Sequence, residues 1–126
     1  MAIKLSDFLE YTVTSPYEFT GDVTFSKGVR EEVETLTGTS VNLDPSTGTI
    51  KTHTLTDDTT YTESLQDGEY VTVMIDDGTD YTVDWPNTTW VNNGGVAPTL
   101  ATTGYTVVQL WKIDTTLYGA LVGGGS

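Results

Sequence analysis

Apolar and polar residues trade places every second position along much of this chain, the period of a strand with one dry and one wet face. From Gly68 to Gly123 the run reads as a near-continuous β meander, with tryptophan, proline and paired glycine at its joints. From about residue 49, turn signals recur at roughly eight- to twelve-residue intervals, the spacing of a sandwich or barrel. Strands are predicted over 49–56, 59–65, 69–76, 80–85, 88–92, 105–114 and 116–122, all antiparallel. Their turns fall at Asp57-Asp58, Asp67-Gly68, Asp77-Gly78, Asn92 to Gly95 and Thr103-Gly104. Threonine supports this reading: 26 of 126 residues are of a β-branched type that suits a pleated surface and is mediocre in helices.

The pattern divides the chain into three zones: an arm over 1–20, a connecting β segment over 21–48 and a β-sandwich head over 49–126. In the arm, Leu5, Phe8 and Leu9 fall at i, i+3, i+4 after a Ser6 cap, which predicts one helical turn closed by Ser15-Pro16. One turn cannot bury three large side chains, so they dock either on a neighbouring subunit or particle, or back on their own domain. In the second zone, Gly21 to Phe25 alternates as a strand and Lys27-Gly28 signals a turn. Val29, Val33 and Leu36 fit a helical stripe. Strand is favoured there, because Thr35, Thr37, Thr39 and Val41 extend a β-rich run and Gly38 weakens a helix by ~1 kcal/mol. Asp44-Pro45-Ser46-Thr47-Gly48 reads as a β-turn.

One predicted hairpin has a preferred register. With Asp77, Gly78 and Thr79 as its loop, Ile75 faces Tyr81, Val73 faces Val83 and Val71 faces Trp85, one continuous apolar face. The same register sets Asp76 against Asp80, a repulsion that solvation or a bound cation relieves. Asp76, Asp77 and Asp80 lack the alternating acids and terminal Glu of an EF-hand loop, so solvated turn carboxylates are preferred over a calcium site.

Charge narrows the partners. Eighteen acidic residues against five basic give a formal −13, and only Lys112 is basic after Lys51. Nucleic acid and anionic membrane surfaces both require clustered cations, so neither is expected as a partner. With no cysteine there is neither a disulfide nor a thiolate metal site. No apolar stretch approaches the ~20 residues of a membrane span, and Met1-Ala2-Ile3-Lys4 does not open a secretory leader; the chain reads as soluble and made in the cytoplasm.

Catalytic chemistry finds little to use. His53, the single imidazole, sits in an alternating K-T-H-T-L stretch and reads as a strand surface residue; no serine occupies a G-x-S-x-G elbow. No glycine-rich loop opens a helix to cradle phosphate, and no cofactor is expected. Trp85, Trp90 and Trp111 with Tyr81, Tyr105 and Tyr118 offer either a core or a sugar-stacking face, and core is preferred in a small β domain. Trp85 and Trp90 flank Pro86 and predict a rigid corner that locks two sheets together. Gly94-Gly95 before Pro98 supplies positive φ and then a fixed one, aiming the next strand across the domain.

These residues carry a resemblance. L-T-D-D-T-T-Y-T at Leu55 to Thr62, G-E-Y-V-T-V-M-I at Gly68 to Ile75, W-P at Trp85-Pro86, W-V-N-N-G-G-V-A-P-T-L at Trp90 to Leu100 and L-Y-G at Leu117 to Gly119 are together similar to the β domain of tail-fibre and other virion proteins of tailed bacteriophages. G-D-V-T-F at Gly21 to Phe25 resembles phage fibre segments as well. The resemblance covers a little over half the chain. It implies a non-enzymatic virion component, commonly a homotrimer, made in the host cytoplasm and docked on capsid or tail proteins. At this length that is a short fibre, a knob or a capsid-decorating protein. The fold expected is all-β, an antiparallel, jelly-roll-like β-sandwich head behind a short N-terminal arm. The alternative is a receptor- or glycan-binding adhesin that uses the Trp/Tyr face.

Overall fold

The computed structural model describes residues 18–78 and 80–124. Leu5, Phe8 and Leu9, with the helical turn expected around them, lie outside the described residues. Among the described residues nine strands follow in order: β1 Val33–Leu36, β2 Ser40–Leu43, β3 Ile50–Thr54, β4 Thr59–Glu63, β5 Tyr70–Asp76, β6 Val83–Asp84, β7 Thr89–Trp90, β8 Thr106–Ile113 and β9 Thr116–Gly124. The all-β expectation holds, and from residue 49 onward each predicted strand overlaps an observed one, the last running two residues further, to Gly124. In the ambiguous stretch, Val33–Leu36 is strand. Gly21 to Phe25 is not, and Asp44 to Gly48 forms a single 3-10 turn, Pro45–Thr47, capped by Asp44 accepting from the Ser46 N–H at 2.9 Å.

The pairing differs from the expected antiparallel meander. One sheet has the order β1-β3-β5-β8-β9-β7 and the other β2-β4-β6. β1, β3 and β5 are parallel, as are β2, β4 and β6. The chain therefore alternates between two sheets in three successive windings, each strand lying beside the one two places earlier. That is a parallel coil, not a jelly-roll order. Antiparallel pairing begins only where β8 joins β5 and turns through Asp114-Thr115 into β9, and the short β7 closes the edge parallel to β9.

The corners explain the departure. A hairpin needs a tight turn beside its own strand, commonly with left-handed residues. The corners Leu55–Asp58 and Ser64–Glu69 instead bury an apolar side chain, Leu55 and Leu65, so the chain wraps around the core. The predicted 71–76/80–85 hairpin does not form. Ile75 lies beside His53 and Thr106, and Asp76 beside Thr54. Tyr81, Val83 and Trp85 still pack on the same core as Val71, Val73 and Ile75, contributed through β6 and its flanks on the other sheet. Alternation identifies which side chains point inward, and it is the same for both arrangements.

Two inward rows cross the larger sheet. Leu36, His53, Ile75 and Thr106 form one; Glu34, Lys51, Val73 and Val108 form the other. Leu43 and Tyr61 meet them from the smaller sheet, and Leu110 and Leu117 extend the core along β8 and β9. Each such apolar side chain contributes about 1.5–3 kcal/mol when fully buried. Lys112 ties β8 to β4 through Glu63 at 2.7 Å.

Candidate functional site

The Trp85-Pro86 corner carries the chain from β6 in the smaller sheet to β7 in the larger one. Trp85 lies 5.3 Å from Tyr61 and meets Trp90 edge-on at 5.5 Å and 81°. Both indoles are half-buried against the core. Trp90 sits directly over Gly119: a Cβ there would lie 2.7 Å from its ring and 2.9 Å from Leu110 Cδ2. Gly119→Ala is accordingly expected to displace Trp90 and cost about 1–3 kcal/mol, read as a fall in the urea midpoint. Beyond β7, Asn93, Gly94 and Gly95 take φ of 57°, 69° and 78°, a left-handed run that glycine accepts without a Cβ penalty. Asn92 fastens this run to β9, donating to the Leu121 carbonyl at 2.9 Å and accepting from its N–H at 3.0 Å. The buried Pro98 then brings Leu100 against Gly78.

A groove of about 410 Å³ opens beside this corner, lined chiefly by Tyr81, Trp85, Pro98 and Leu100, with Ala97 and Thr99 at its lip. Among the described residues no carboxylate, imidazole or amine lines it, and the hydroxyls there come from threonine and Tyr81. Its aromatic and aliphatic side chains give it a surface suited to apolar contact. Acids stand around it: Asp77 and Asp80 flank Gly78 and Tyr81 in the chain, and Asp58 accepts from the Thr82 N–H at 2.8 Å.

His53 is a correction to the sequence reading. It is 1% exposed, inside the core instead of on a strand surface. Its Nε2 lies 3.0 Å from the Gly38 carbonyl and its Nδ1 2.6 Å from the Tyr61 hydroxyl. A carbonyl only accepts, so Nε2 carries the proton, Nδ1 accepts, and Tyr61 donates. The imidazole is saturated by structural partners and pins the first winding's corner to β3 and β4. Burial lowers its pKa, partly opposed by the Gly38 bond, and burial raises that of Tyr61. A depressed histidine means that the unfolded chain binds the proton first. Stability is then complete above the ordinary value of about 6.5 and declines as pH falls below it, by at most about 1.4 kcal/mol per pH unit from this group. Urea midpoints between pH 7.5 and 5 are expected to show this slope, and His53→Gln to flatten it.

The charges also separate into buried and free. Lys51 is 0% exposed, with its ammonium on Glu34 Oε1 at 2.6 Å, the Asp44 carbonyl at 2.6 Å and Thr47 Oγ1 at 3.1 Å. The Lys51 hydrogen bond holds the Glu34 carboxyl below the usual carboxylate range, against the opposing effect of its own desolvation. Nearby, the Tyr70 hydroxyl donates to Glu31, which raises the tyrosine's pKa, and Thr49 donates to the same carboxylate at 3.0 Å. Among the described residues no group of three or more His, Asp or Glu is placed to hold a metal ion. Asp76, Asp77 and Asp80 are not brought together by the predicted hairpin.

Residues 18–30 are exposed at every position and belong to no strand or helix. Phe19, Val23, Phe25 and Val29 are about half to two thirds exposed, as is Val33 where β1 begins. Lys27 and Arg30 interleave with them and, among the described residues, form no ion pair, whereas Lys51 and Lys112 both do. Sequence reasoning located the arm's function in Leu5, Phe8 and Leu9 and missed this second apolar set, whose signal was an alternation with no partner strand. On the outer side of the larger sheet, Trp111 and Tyr118 stack at 6.0 Å and 19°, with Tyr70 beside Trp111 in register. Comparison with known protein families, with curated proteins and with solved structures returned no match.

Proposed function

We propose that the protein is a non-enzymatic structural component of a tailed-bacteriophage virion: a short fibre, knob or capsid decoration protein. It acts by symmetric self-association, as a homotrimer, and by docking on capsid or tail proteins. The observation that carries this reading is the exposed apolar segment from Phe19 to Val33, beside a body whose groove, among the described residues, is lined by aromatic, aliphatic and threonine side chains. So much uncovered apolar surface on one short segment marks an interaction site. The resemblance of Leu55 to Thr62, Gly68 to Ile75 and Trp90 to Leu100 to phage virion β domains names the kind of assembly. A short coil with apolar corners and a tryptophan lock also suits a part that must persist without disulfides.

Particle fractionation tests it. The protein should co-sediment with purified virions at a fixed copy number through a density gradient, and antibody-labelled electron microscopy should place it on head or tail. Its absence from washed particles would contradict the reading. The stacked Trp111–Tyr118 pair favours a second reading, a glycan-binding adhesin, since a flat aromatic surface is what a sugar face stacks on. Binding on a glycan array that is lost in Trp111→Ala, with melting unchanged, would support that reading instead.

A further inference from the structure

Resting on the self-association proposed above, we propose that residues 19–30 of one copy seat in the Tyr81–Trp85–Leu100 groove of a second copy, with Lys27 and Arg30 meeting the acids around it. The two surfaces match in chemistry. The segment offers Phe19, Val23, Phe25 and Val29 to solvent together with the described body's unpaired cations, Lys27 and Arg30. The groove offers Tyr81, Trp85, Pro98 and Leu100, with Asp77 and Asp80 next to its lining residues Gly78 and Tyr81 in the chain and Asp58 bonded to the N–H of its Thr82. In a chain of formal charge −13, two acidic bodies repel unless cations lie between them. Lys51 and Lys112 are held within their own body by Glu34 and Glu63, which leaves Lys27 and Arg30 for that role among the described residues.

The segment's own body leaves it uncovered along residues 18–30. Drawn out at about 3.3–3.6 Å per residue it reaches up to roughly 45 Å, against a radius of gyration of roughly 13 Å for a domain of this size, so a neighbour's groove is within range. The edge of β1, which pairs with no further strand among the described residues, is a poorer partner. Its inward residue Glu34 and the adjacent buried Lys51 place charges where a stacked strand would need an apolar row, a known way of blunting a sheet edge. Segment into groove is a head-to-tail contact, which closes into a ring when the rotation between copies permits and a trimer is the ring proposed here.

Sedimentation velocity on the full chain from 1 to 100 µM tests the contact. Four proteins are compared: wild type, Lys27→Glu/Arg30→Glu, Thr99→Arg/Ala97→Arg, and the charge exchange that combines Lys27→Glu/Arg30→Glu with Asp77→Lys/Asp80→Lys. All the substituted residues are exposed, and a melting curve of each variant is the check that the body stays intact. Wild type should associate, the segment and groove variants should each weaken association at least tenfold, and the exchange should recover most of the loss. An oligomeric wild type whose mass is unchanged in both the segment and the groove variants would overturn this contact and leave self-association standing. A wild type that is monomeric at 100 µM would overturn both.

Discussion

Replacing Trp85 by alanine is expected to lower stability by about 3 kcal/mol and the melting temperature by on the order of 10 °C. The indole packs at once on Tyr61 from the smaller sheet and on Trp90 from the larger, so its removal opens a void where the two sheets are joined. The figure lies at the low end for a tryptophan because the ring is half-buried. Trp90→Ala should act in the same direction by loosening β7 from Gly119 and β9. Thermal melts of both variants check this. Unchanged melting in both would mean that the indoles are displayed for binding and do not hold the corner.

Glu34→Ala is expected to cost about 2–3 kcal/mol, while Lys51→Met should leave stability within about 1 kcal/mol of wild type or raise it. The asymmetry follows from burial. Removing the carboxylate strands a fully buried ammonium, whereas removing the ammonium eliminates its desolvation and leaves an apolar chain beside Val73. The cost is less than the ~3–5 kcal/mol of a fully enclosed pair because the Glu34 side chain keeps 31% of its surface in water. Urea midpoints of the two variants decide the matter. Equal losses in both would mean that the pair is a net source of stability rather than a charged plug at the open end of the coil.

The strands were legible because alternation reports which side chains face inward, and Val71, Val73 and Ile75 do so in any sheet. Their partners were not legible, because parallel and antiparallel strands share that period. The informative signal was in the corners: Leu55 and Leu65 are apolar where a hairpin would carry turn residues, and wrapping is what buries them. His53 was misplaced for a related reason. A polar residue at an inward position looks like a solvent-facing one until Gly38 and Tyr61, far apart in sequence, supply its hydrogen bonds. Lys51 hid in the same way behind Glu34 and Asp44. The corner itself could be read from local chemistry, since Pro86 and the Asn93-Gly94-Gly95 run act through their own backbone angles. The groove could not, because Tyr81 and Leu100 meet only through the path of the chain between them.

Self-association is the claim on which the functional account turns, and the mass of the full chain in solution tests it most directly. Multi-angle light scattering at tens of micromolar should give three times the 13.6 kDa chain mass. A monodisperse peak at the mass of one chain would contradict the account.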